Sequence, residues 1–192
     1  DLYIEGIQNN GIINHYEYII NSEGTIEIRH VLKPEGKMPL WFPRIGLTLT
    51  VSDALDQVKW YGRGPQENYP DRKTGYPMGI YASTVQAMYE PYLMPQDYGL
   101  RTDVRWLQLT TDKGIGLQFK MNEWFNFNIY PYSTDNLTKA MYTYQLQKQK
   151  GMTLNLDYAT TGVGCTARGV FGAYKAMPQE YRRTISIRPM MK

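Results

Sequence analysis

Hydrophobic and polar residues alternate with a period of two along most of the chain, the pattern of strands with one buried and one exposed face. Many of the hydrophobic positions are β-branched or aromatic, as is typical of strands. The alternation predicts a series of half-buried antiparallel strands. Their hydrophobic members are Ile26, Ile28 and Leu32; Ile45, Leu47, Leu49 and Val51; Leu117, Phe119 and Met121; Phe125, Phe127 and Ile129; Leu154 and Leu156; and Ile185 and Ile187.

Turn-forming residues separate these segments. Asn10-Gly11, residues 21–24 (Asn-Ser-Glu-Gly) and residues 112–114 (Asp-Lys-Gly) are typical of hairpin connections. Residues 69–100 contain four prolines and no clean alternation, which predicts a long irregular connection of functional or interface importance. Many short strands with frequent turns favour an all-β antiparallel sandwich, with residues 1–192 forming one domain.

The stretch from Ser133 to Ala140 is the only one that favours a helix. Ser133 or Thr134 is placed to cap its N-terminus, and Leu137 is expected to face inward. A helix of this length requires tertiary contacts for stability.

Composition excludes several classes of function. A net charge of +3 over 192 residues, without a dense basic patch, gives no support for nucleic-acid binding. One cysteine, Cys165, and two histidines, His15 and His30, exclude a disulfide framework within the chain and make a zinc site improbable. No apolar run reaches the ~20 residues of a membrane helix. Because the chain starts at Asp1 in strand-like sequence, we expect it to be a piece of a longer protein.

The stretch from Trp60 to Arg72 combines two glycines, two prolines and several polar groups in one loop after a strand-like segment. Glycine permits backbone conformations closed to other residues, and proline excludes helix. The sequence therefore predicts a stiff loop that presents hydrogen-bonding groups suited to sugar hydroxyls. The residues of this loop are Gly64, Pro65, Gln66, Glu67, Asn68, Tyr69, Asp71 and Arg72.

Catalytic chemistry within the chain itself has weak support. Glycoside hydrolysis needs two carboxylates about 5–9 Å apart, and no spacing fixes such a pair among Glu67, Asp71, Asp97, Asp103, Glu123 and Asp157. Both histidines are expected to be partly exposed on a sheet. For the tryptophans, core packing is the favoured interpretation. For the arginines, the favoured interpretation is an ion pair with a carboxylate such as Asp71 or Asp103. These residues are Trp60, Trp106, Trp124, Arg72, Arg101 and Arg105.

The run from Trp60 to Arg72 resembles a signature of the C-terminal domain of large β-galactosidases of glycoside hydrolase family 2. Further matches follow in the expected order, and the likeness extends from Leu40 to Pro189. They are residues 89–92 (Tyr-Glu-Pro-Tyr), 95–99 (Pro-Gln-Asp-Tyr-Gly), 103–106 (Asp-Val-Arg-Trp), 125–128 (Phe-Asn-Phe-Asn), 131–133 (Pro-Tyr-Ser), 154–157 (Leu-Asn-Leu-Asp), 162–164 (Gly-Val-Gly) and 187–189 (Ile-Arg-Pro).

This resemblance implies a galactose mutarotase-like supersandwich that lacks some N-terminal strands of the family domain. It also implies a non-catalytic domain of a retaining hydrolase, because the family's catalytic glutamates lie in a separate TIM barrel. The domain would pack on that barrel and on other domains of the same polypeptide. The loop from Gly64 to Arg72 would border the mouth of the active site, with Gly64 as a hinge, and Arg168 and Gly169 are weaker site candidates.

For the parent protein, the resemblance implies a β-galactoside substrate and a homo-oligomer that is soluble, bacterial, and either cytoplasmic or periplasmic. No cofactor or metal is expected in this chain, and any Mg²⁺ or Na⁺ would be bound outside this domain. No nucleic-acid or membrane partner is expected.

The chain departs from the family pattern after Gly162-Val163-Gly164. The family often continues with Gly-Gly-Asp-x-Ser-Trp, whose tryptophan stacks on the sugar, whereas residues 165–169 here read Cys-Thr-Ala-Arg-Gly. The resemblance therefore implies that this aromatic platform is missing. Two alternatives stay open, an independent mutarotase-like enzyme and a carbohydrate-binding module.

Overall fold

Ten antiparallel strands and one short helix form the part of the chain that the structure describes. The computed structural model describes residues 10–165 and 169–191 in full and residues 2–5 as backbone. The elements are β1 (Leu2–Glu5), β2 (Gly11–Ile20), β3 (Ile26–Glu35), β4 (Arg44–Val51), β5 (Gln57–Arg63), β6 (Met78–Thr84), β7 (Arg101–Thr110), β8 (Gly116–Tyr130), α1 (Thr134–Lys139), β9 (Met152–Thr160) and β10 (Tyr181–Met190), with 3₁₀ turns at Thr143–Gln145 and Gly172–Tyr174.

The strands form a branched sheet, and β8 is the branch point. Seven other strands follow the order β1-β2-β3-β10 on one side of β8 and β7-β5-β6 on the other, while β9 also pairs with β8 and carries β4. The sequence predicted two separate segments around Phe119 and Phe127. The structure joins them into one strand of 15 residues. One edge of this strand faces β10 from Gly116 to Met121 and faces β9 from Asn126 to Tyr130.

Two hydrophobic cores lie between the branches. The first contains Trp60, Phe119, Phe127 and Leu154 and brings side chains of β4 and β9 together with those of β5, β7 and β8. The second joins β3 and β10 to the other ends of β4 and β9. Since sheet packs against sheet in both, the predicted all-β antiparallel sandwich is confirmed.

Local predictions agree with the structure at the turns and the helix. Residues 21–24 connect β2 to β3, and residues 112–114 connect β7 to β8. The helix α1 is capped by Ser133, whose hydroxyl accepts a hydrogen bond from the Asn136 backbone N–H, and Leu137 is its buried residue. A cap of this kind pairs one of the free N–H groups of the first turn.

Two strand predictions were wrong in detail. The stretch 69–100, predicted to be irregular, contains β6, which pairs with β5. Strand β9, predicted to be half-buried, is buried along Met152–Tyr158 on both faces. Its polar face is covered because the Arg44 side chain donates to Asp157 and the adjacent Asn128 donates to Asp97, which belongs to the segment before β7.

The tryptophans do not share one environment. Trp60 is fully buried in the first core, as predicted. Trp106 is half-buried, whereas Trp124 is 54% exposed, so the core assignment is wrong for Trp124. Alternation alone does not reveal this exposure, because it depends on how β8 departs from its neighbours.

Candidate functional site

The segment from Gly64 to Arg72, here called the 64–72 loop, is anchored to the start of β7 through Asn68. The Asn68 backbone N–H donates to the Leu100 carbonyl at 2.8 Å, and its side-chain oxygen accepts from the backbone N–H of Thr102 at 3.0 Å. The Asn68 amide nitrogen donates to the Gln66 carbonyl at 3.1 Å. Asn68 is fully buried, so its hydrogen-bonding groups stabilise the loop and are not presented at the surface.

Glu67 is the second inward-facing residue of the loop. Its buried carboxylate accepts hydrogen bonds from the Tyr69 hydroxyl (3.1 Å), the Arg72 guanidinium (2.9 Å), the Gly99 backbone N–H (2.9 Å) and the Tyr92 hydroxyl. Burial favours the neutral acid, but these donors outweigh it and hold the pKa of Glu67 below its ordinary value. The sequence placed this carboxylate among the groups facing a sugar, whereas the structure turns it toward the interior.

Gly64 lies where the loop passes over the first core. A Cβ atom at this position would lie 2.8 Å from the Tyr81 ring and 3.0 Å from the Trp60 ring. The residue after Gly64 is also fixed, because the Arg101 guanidinium donates a hydrogen bond to the Pro65 carbonyl at 2.9 Å. Glycine is therefore required here for close packing, and this packing does not favour the hinge that was predicted for Gly64.

The outward-facing side of the loop consists of Pro65, Gln66 and Arg72, all exposed. The guanidinium of Arg72 also lies over the Tyr69 ring, 5.1 Å from its centroid, and this arrangement directs it along the loop surface. Of the predicted site residues, these three and Asp71 are the ones that the structure leaves available to a ligand or a neighbouring domain.

Asp71 connects the loop to a segment more than ninety positions later in the chain. Its two carboxylate oxygens accept hydrogen bonds from the backbone N–H groups of Val163 (3.1 Å) and Gly164 (2.7 Å). Gly162 makes this contact possible, because a Cβ atom there would lie 2.3 Å from the Asp71 carboxyl carbon. In the sequence, Gly162 and Gly164 were noted only as part of the Gly-Val-Gly motif of residues 162–164. In the structure, Gly164 donates its N–H to the Asp71 carboxylate, and Gly162 leaves the space that this carboxylate occupies.

A surface pocket of about 340 Å³ opens beside Asp71. Two aromatic side chains contribute to it, Phe171, which is 65% exposed, and Tyr174, which is 39% exposed. Gly169, a weaker candidate of the sequence analysis, also lines it, and Arg168 lies outside the described residues. The lining residues are Asp71, Gly164, Cys165, Gly169, Val170, Phe171 and Tyr174.

Phe171 and Tyr174 are the site residues that sequence reasoning missed. The only signal was the presence of two aromatic residues three positions apart, just after the segment where the family tryptophan is absent. A pocket that combines aromatic surface with a carboxylate has the composition that small-ligand sites usually show.

Other carboxylates are engaged in structural pairs. Asp103 is held by Arg63 and Lys73, each at 2.6 Å. Burial opposes its charged form, but hydrogen bonds from Lys73 and Arg63 keep the pKa of Asp103 below its ordinary value. Asp157 is buried against Arg44 at 2.8 Å. Its burial outweighs Arg44 and raises the pKa of Asp157 to about 7.

The predicted pairing of an arginine with a carboxylate is confirmed for Arg72, although its partner is neither Asp71 nor Asp103, and it is wrong for Arg101 and Arg105. Arg72 pairs with Glu67, and Arg105 lies over the Trp124 ring at 3.5 Å from its centroid. Arg101 binds the carbonyl oxygens of Pro65 and Gly99, and burial lowers its pKa to about 10. Sequence spacing did not identify Pro65 as a partner of Arg101 or Trp124 as a partner of Arg105, because these residues are distant along the chain.

The histidine prediction was right for His15, which is exposed, and wrong for His30. His30 is 1% exposed, and its ring nitrogens contact the Tyr158 hydroxyl at 2.7 Å and the Asn14 side-chain oxygen at 3.0 Å. Burial lowers the pKa of His30 to about 4. The buried ring with both nitrogens engaged is not placed to exchange protons with a sugar.

Among residues 10–165 and 169–191, no three His, Cys, Asp or Glu side chains come together in a group that could hold a metal ion. The described part of the chain also has no helix with the length and apolar character needed to cross a membrane.

Comparison with known proteins gives one consistent result. A family model described as "Beta galactosidase small chain" matches residues 5–187. A protein named β-galactosidase from Priestia megaterium is 38% identical over 147 residues, which cover 77% of this chain and 14% of that protein.

Two more proteins named β-galactosidase are similar to the chain. The one from Vibrio cholerae is 39% identical over 122 residues, covering 64% of this chain and 11% of that protein. The one from Pseudoalteromonas haloplanktis is 33% identical over 159 residues, covering 81% of this chain and 14% of that protein. The chain therefore spans only 11–14% of the length of these relatives.

Proposed function

Because the chain belongs to the β-galactosidase small-chain family, we propose that it is the non-catalytic C-terminal domain of a retaining β-galactosidase. In this proposal the reactive carboxylates lie in a catalytic TIM barrel in another part of the same polypeptide. This domain packs against the barrel and shapes the entrance to the active site. The substrate is a β-galactoside.

The non-catalytic part of the proposal is supported by the hydrogen bonds and ion pairs that the carboxylates of this chain already make. Four of the six acids that came into question as a nucleophile or proton donor have strong partners, and three of them are bound as follows: Glu67 has four donors, Asp71 two backbone N–H groups, and Asp103 two cations. Asp157 is buried against Arg44. Hydrolysis by a pair of acids needs groups that face a shared open space about 5–9 Å wide, and these acids serve local structure instead.

The rim of the proposed entrance is the surface formed by the 64–72 loop and the pocket beside Asp71. Pro65, Gln66 and Arg72 face outward, and Phe171 and Tyr174 add aromatic surface in the pocket beside Asp71. Aromatic rings provide flat apolar platforms for the C–H face of a sugar ring. In this proposal, Phe171 and Tyr174 provide the stacking surface that the family tryptophan provides in other members.

Activity assays on two forms of the protein test the proposal. The full-length protein that contains this chain is expected to hydrolyse o-nitrophenyl β-galactoside, and the 192-residue chain alone is expected to be inactive. Hydrolysis by the isolated chain would overturn the non-catalytic assignment. Inactivity of the full-length protein on a panel of β-galactosides would overturn the parent activity.

The rim is tested in the full-length protein with Phe171→Ala, and Gly75→Ala serves as the control because a Cβ atom at Gly75 meets nothing within 4 Å. Loss of a stacking surface is expected to raise the KM for lactose about tenfold, with a smaller effect on kcat. If Phe171→Ala and Gly75→Ala give the same KM as the unaltered protein, the pocket beside Asp71 does not contact the substrate.

A further inference from the structure

A second cleft lies where β8 changes partners, and we call the region around residues 122–124 the β8 fork. The last β10 pair of β8 is Met121 with Ile185, and its first β9 pair is Asn126 with Asp157. On the opposite edge, Lys120 pairs with Trp106 of β7 and Phe125 pairs with Val104. Between these two pairs β8 advances five positions, whereas β7 advances only two. The surplus residues bulge out of the sheet, as extra residues in one strand of a pair do.

Arg183 lines the base of the fork. The side chain of Arg183 in β10 is only 13% exposed, and its guanidinium forms an ion pair with the Glu123 carboxylate, with 2.9 Å between nitrogen and oxygen. The same guanidinium lies over the rings of Tyr158 and Tyr181, at 5.7 Å and 5.8 Å from their centroids. Its Nε is buried and has no acceptor among the described residues.

The wall of the fork is Trp124, which the bulge leaves 54% exposed. The Arg105 guanidinium lies against the indole, 3.5 Å from the ring centroid, and this contact fixes the orientation of the ring. An exposed indole held in this way offers a flat apolar surface to a ligand.

We propose that the β8 fork binds a pyranose ring of a neutral saccharide, with Trp124 as the stacking platform and Glu123, Asn122 and Arg183 as partners for the hydroxyl groups. The indole offers an apolar surface to one face of the ring. The carboxylate and amide oxygens accept from hydroxyl groups, and the amide and guanidinium nitrogens donate to them.

Size and charge support a saccharide. The cleft is an open concavity of about 440 Å³, a volume within the range of about 300–1,000 Å³ of small-ligand sites. Glu123 places a negative charge beside Arg183, which disfavours an acidic ligand. The pocket beside Asp71 and this cleft share no lining residue, so this proposal does not depend on the function proposed for the 64–72 loop.

Affinity electrophoresis of the full-length protein tests the proposal, in native gels with and without soluble β-1,4-galactan, galactomannan or xyloglucan. At least one of these neutral polysaccharides is expected to retard the unaltered protein. Trp124→Ala is expected to raise the dissociation constant about tenfold, whereas Trp124→Phe keeps a ring and most of the affinity. Tyr144→Ala is the matched control, because Tyr144 is an exposed aromatic residue that does not line the cleft.

Glu123→Ala gives a second test that does not depend on the folding of the Trp124 variants, and it is also expected to weaken retardation. The proposal is overturned if no polysaccharide retards the unaltered protein, or if Trp124→Ala and Glu123→Ala migrate like Tyr144→Ala. Hydrolysis of o-nitrophenyl β-galactoside, measured in parallel, is expected to be unchanged in all four variants. This separates a failure of the fork from a failure of the proposed parent activity.

Discussion

Asp71 holds Gly164 through a hydrogen bond of 2.7 Å between its carboxylate and the glycine N–H. The second oxygen accepts from Val163 at 3.1 Å. One side chain thus joins the 64–72 loop to the segment that lines the neighbouring pocket. The shape of the pocket beside Asp71 depends on this connection, and two substitutions test it.

Replacing Asp71 with Ala is expected to release residues 162–164. Hydrogen bonds to a charged group contribute about 1.5–3 kcal/mol, so the backbone N–H groups of this segment should exchange with solvent about 10- to 100-fold faster. Hydrogen exchange of the full-length protein, read by mass spectrometry, measures the change. Asp71→Asn keeps one acceptor oxygen and should give an intermediate rate. Wild-type exchange in both variants would contradict the connection.

Gly162→Ala is expected to break the same connection from the other side, because its Cβ would lie 2.3 Å from the Asp71 carboxyl carbon. Exchange in residues 162–164 should rise as in Asp71→Ala, and combining the two changes should add little, as expected for residues in contact. Gly172→Ala is the control, since a Cβ there meets nothing within 4 Å. Fully additive effects would show that Gly162 acts independently of Asp71.

Glu67→Gln is expected to destabilise the 192-residue chain by about 2 kcal/mol at neutral pH, because the neutral amide replaces a carboxylate that accepts four hydrogen bonds. The folded-state pKa of Glu67 lies below its ordinary 4.5. Its contribution is therefore fully present above pH 4.5 and is lost as the pH falls through the folded-state pKa. Urea unfolding followed by tryptophan fluorescence measures both effects.

The control for Glu67 is Glu23→Gln, at an exposed position in the turn between β2 and β3, which should leave the free energy of unfolding unchanged. If Glu67→Gln is as stable as this control, the four hydrogen bonds do not hold the loop.

His30 is expected to make the fold sensitive to mild acid. Its pKa is 6.5 in the unfolded chain and falls to about 4 in the folded one, because the ring is buried. The stability it contributes is fully present above pH 6.5 and is lost as the pH falls from 6.5 to 4, a loss of about 3 kcal/mol. Urea midpoints at intervals across this range measure the slope.

His30→Gln should flatten this slope even if it lowers stability at neutral pH. The exposed His15 provides the control, since His15→Gln should leave the slope due to His30 in place. An unchanged slope in His30→Gln would show that other groups cause the acid sensitivity.

Alternation predicted most of the sandwich because a strand with one face on the core has to repeat every two residues. Phe125, Phe127 and Ile129 are buried as that pattern requires. The pattern did not predict the burial of Asn128 and Asp157, because their cover comes from Arg44 and from residues before β7. Polarity in the sequence shows which groups need partners, and only the fold shows where those partners are.

The 64–72 loop was identified from its composition, but the orientation of its side chains was not. Glu67 turns inward because Tyr92 and Gly99 donate hydrogen bonds to it. These donors lie 25 and 32 positions later in the chain, so the local sequence does not reveal them. Phe171 and Tyr174 line a pocket together with Asp71, which lies far from them along the chain. Local sequence describes a loop's stiffness, whereas the surface that it presents depends on contacts distant along the chain.

Strand β8 is shared by both cores, and its middle section has no regular ladder pairing across either edge. A one-residue insertion or deletion elsewhere in β8 would exchange inward and outward side chains over half the strand. Between Asn122 and Trp124 the existing bulge could accommodate a change in length without shifting Phe119 or Phe127 out of register. Among homologues, differences in the length of this strand should therefore fall at this point, where surface recognition can diverge while the folding pattern is kept.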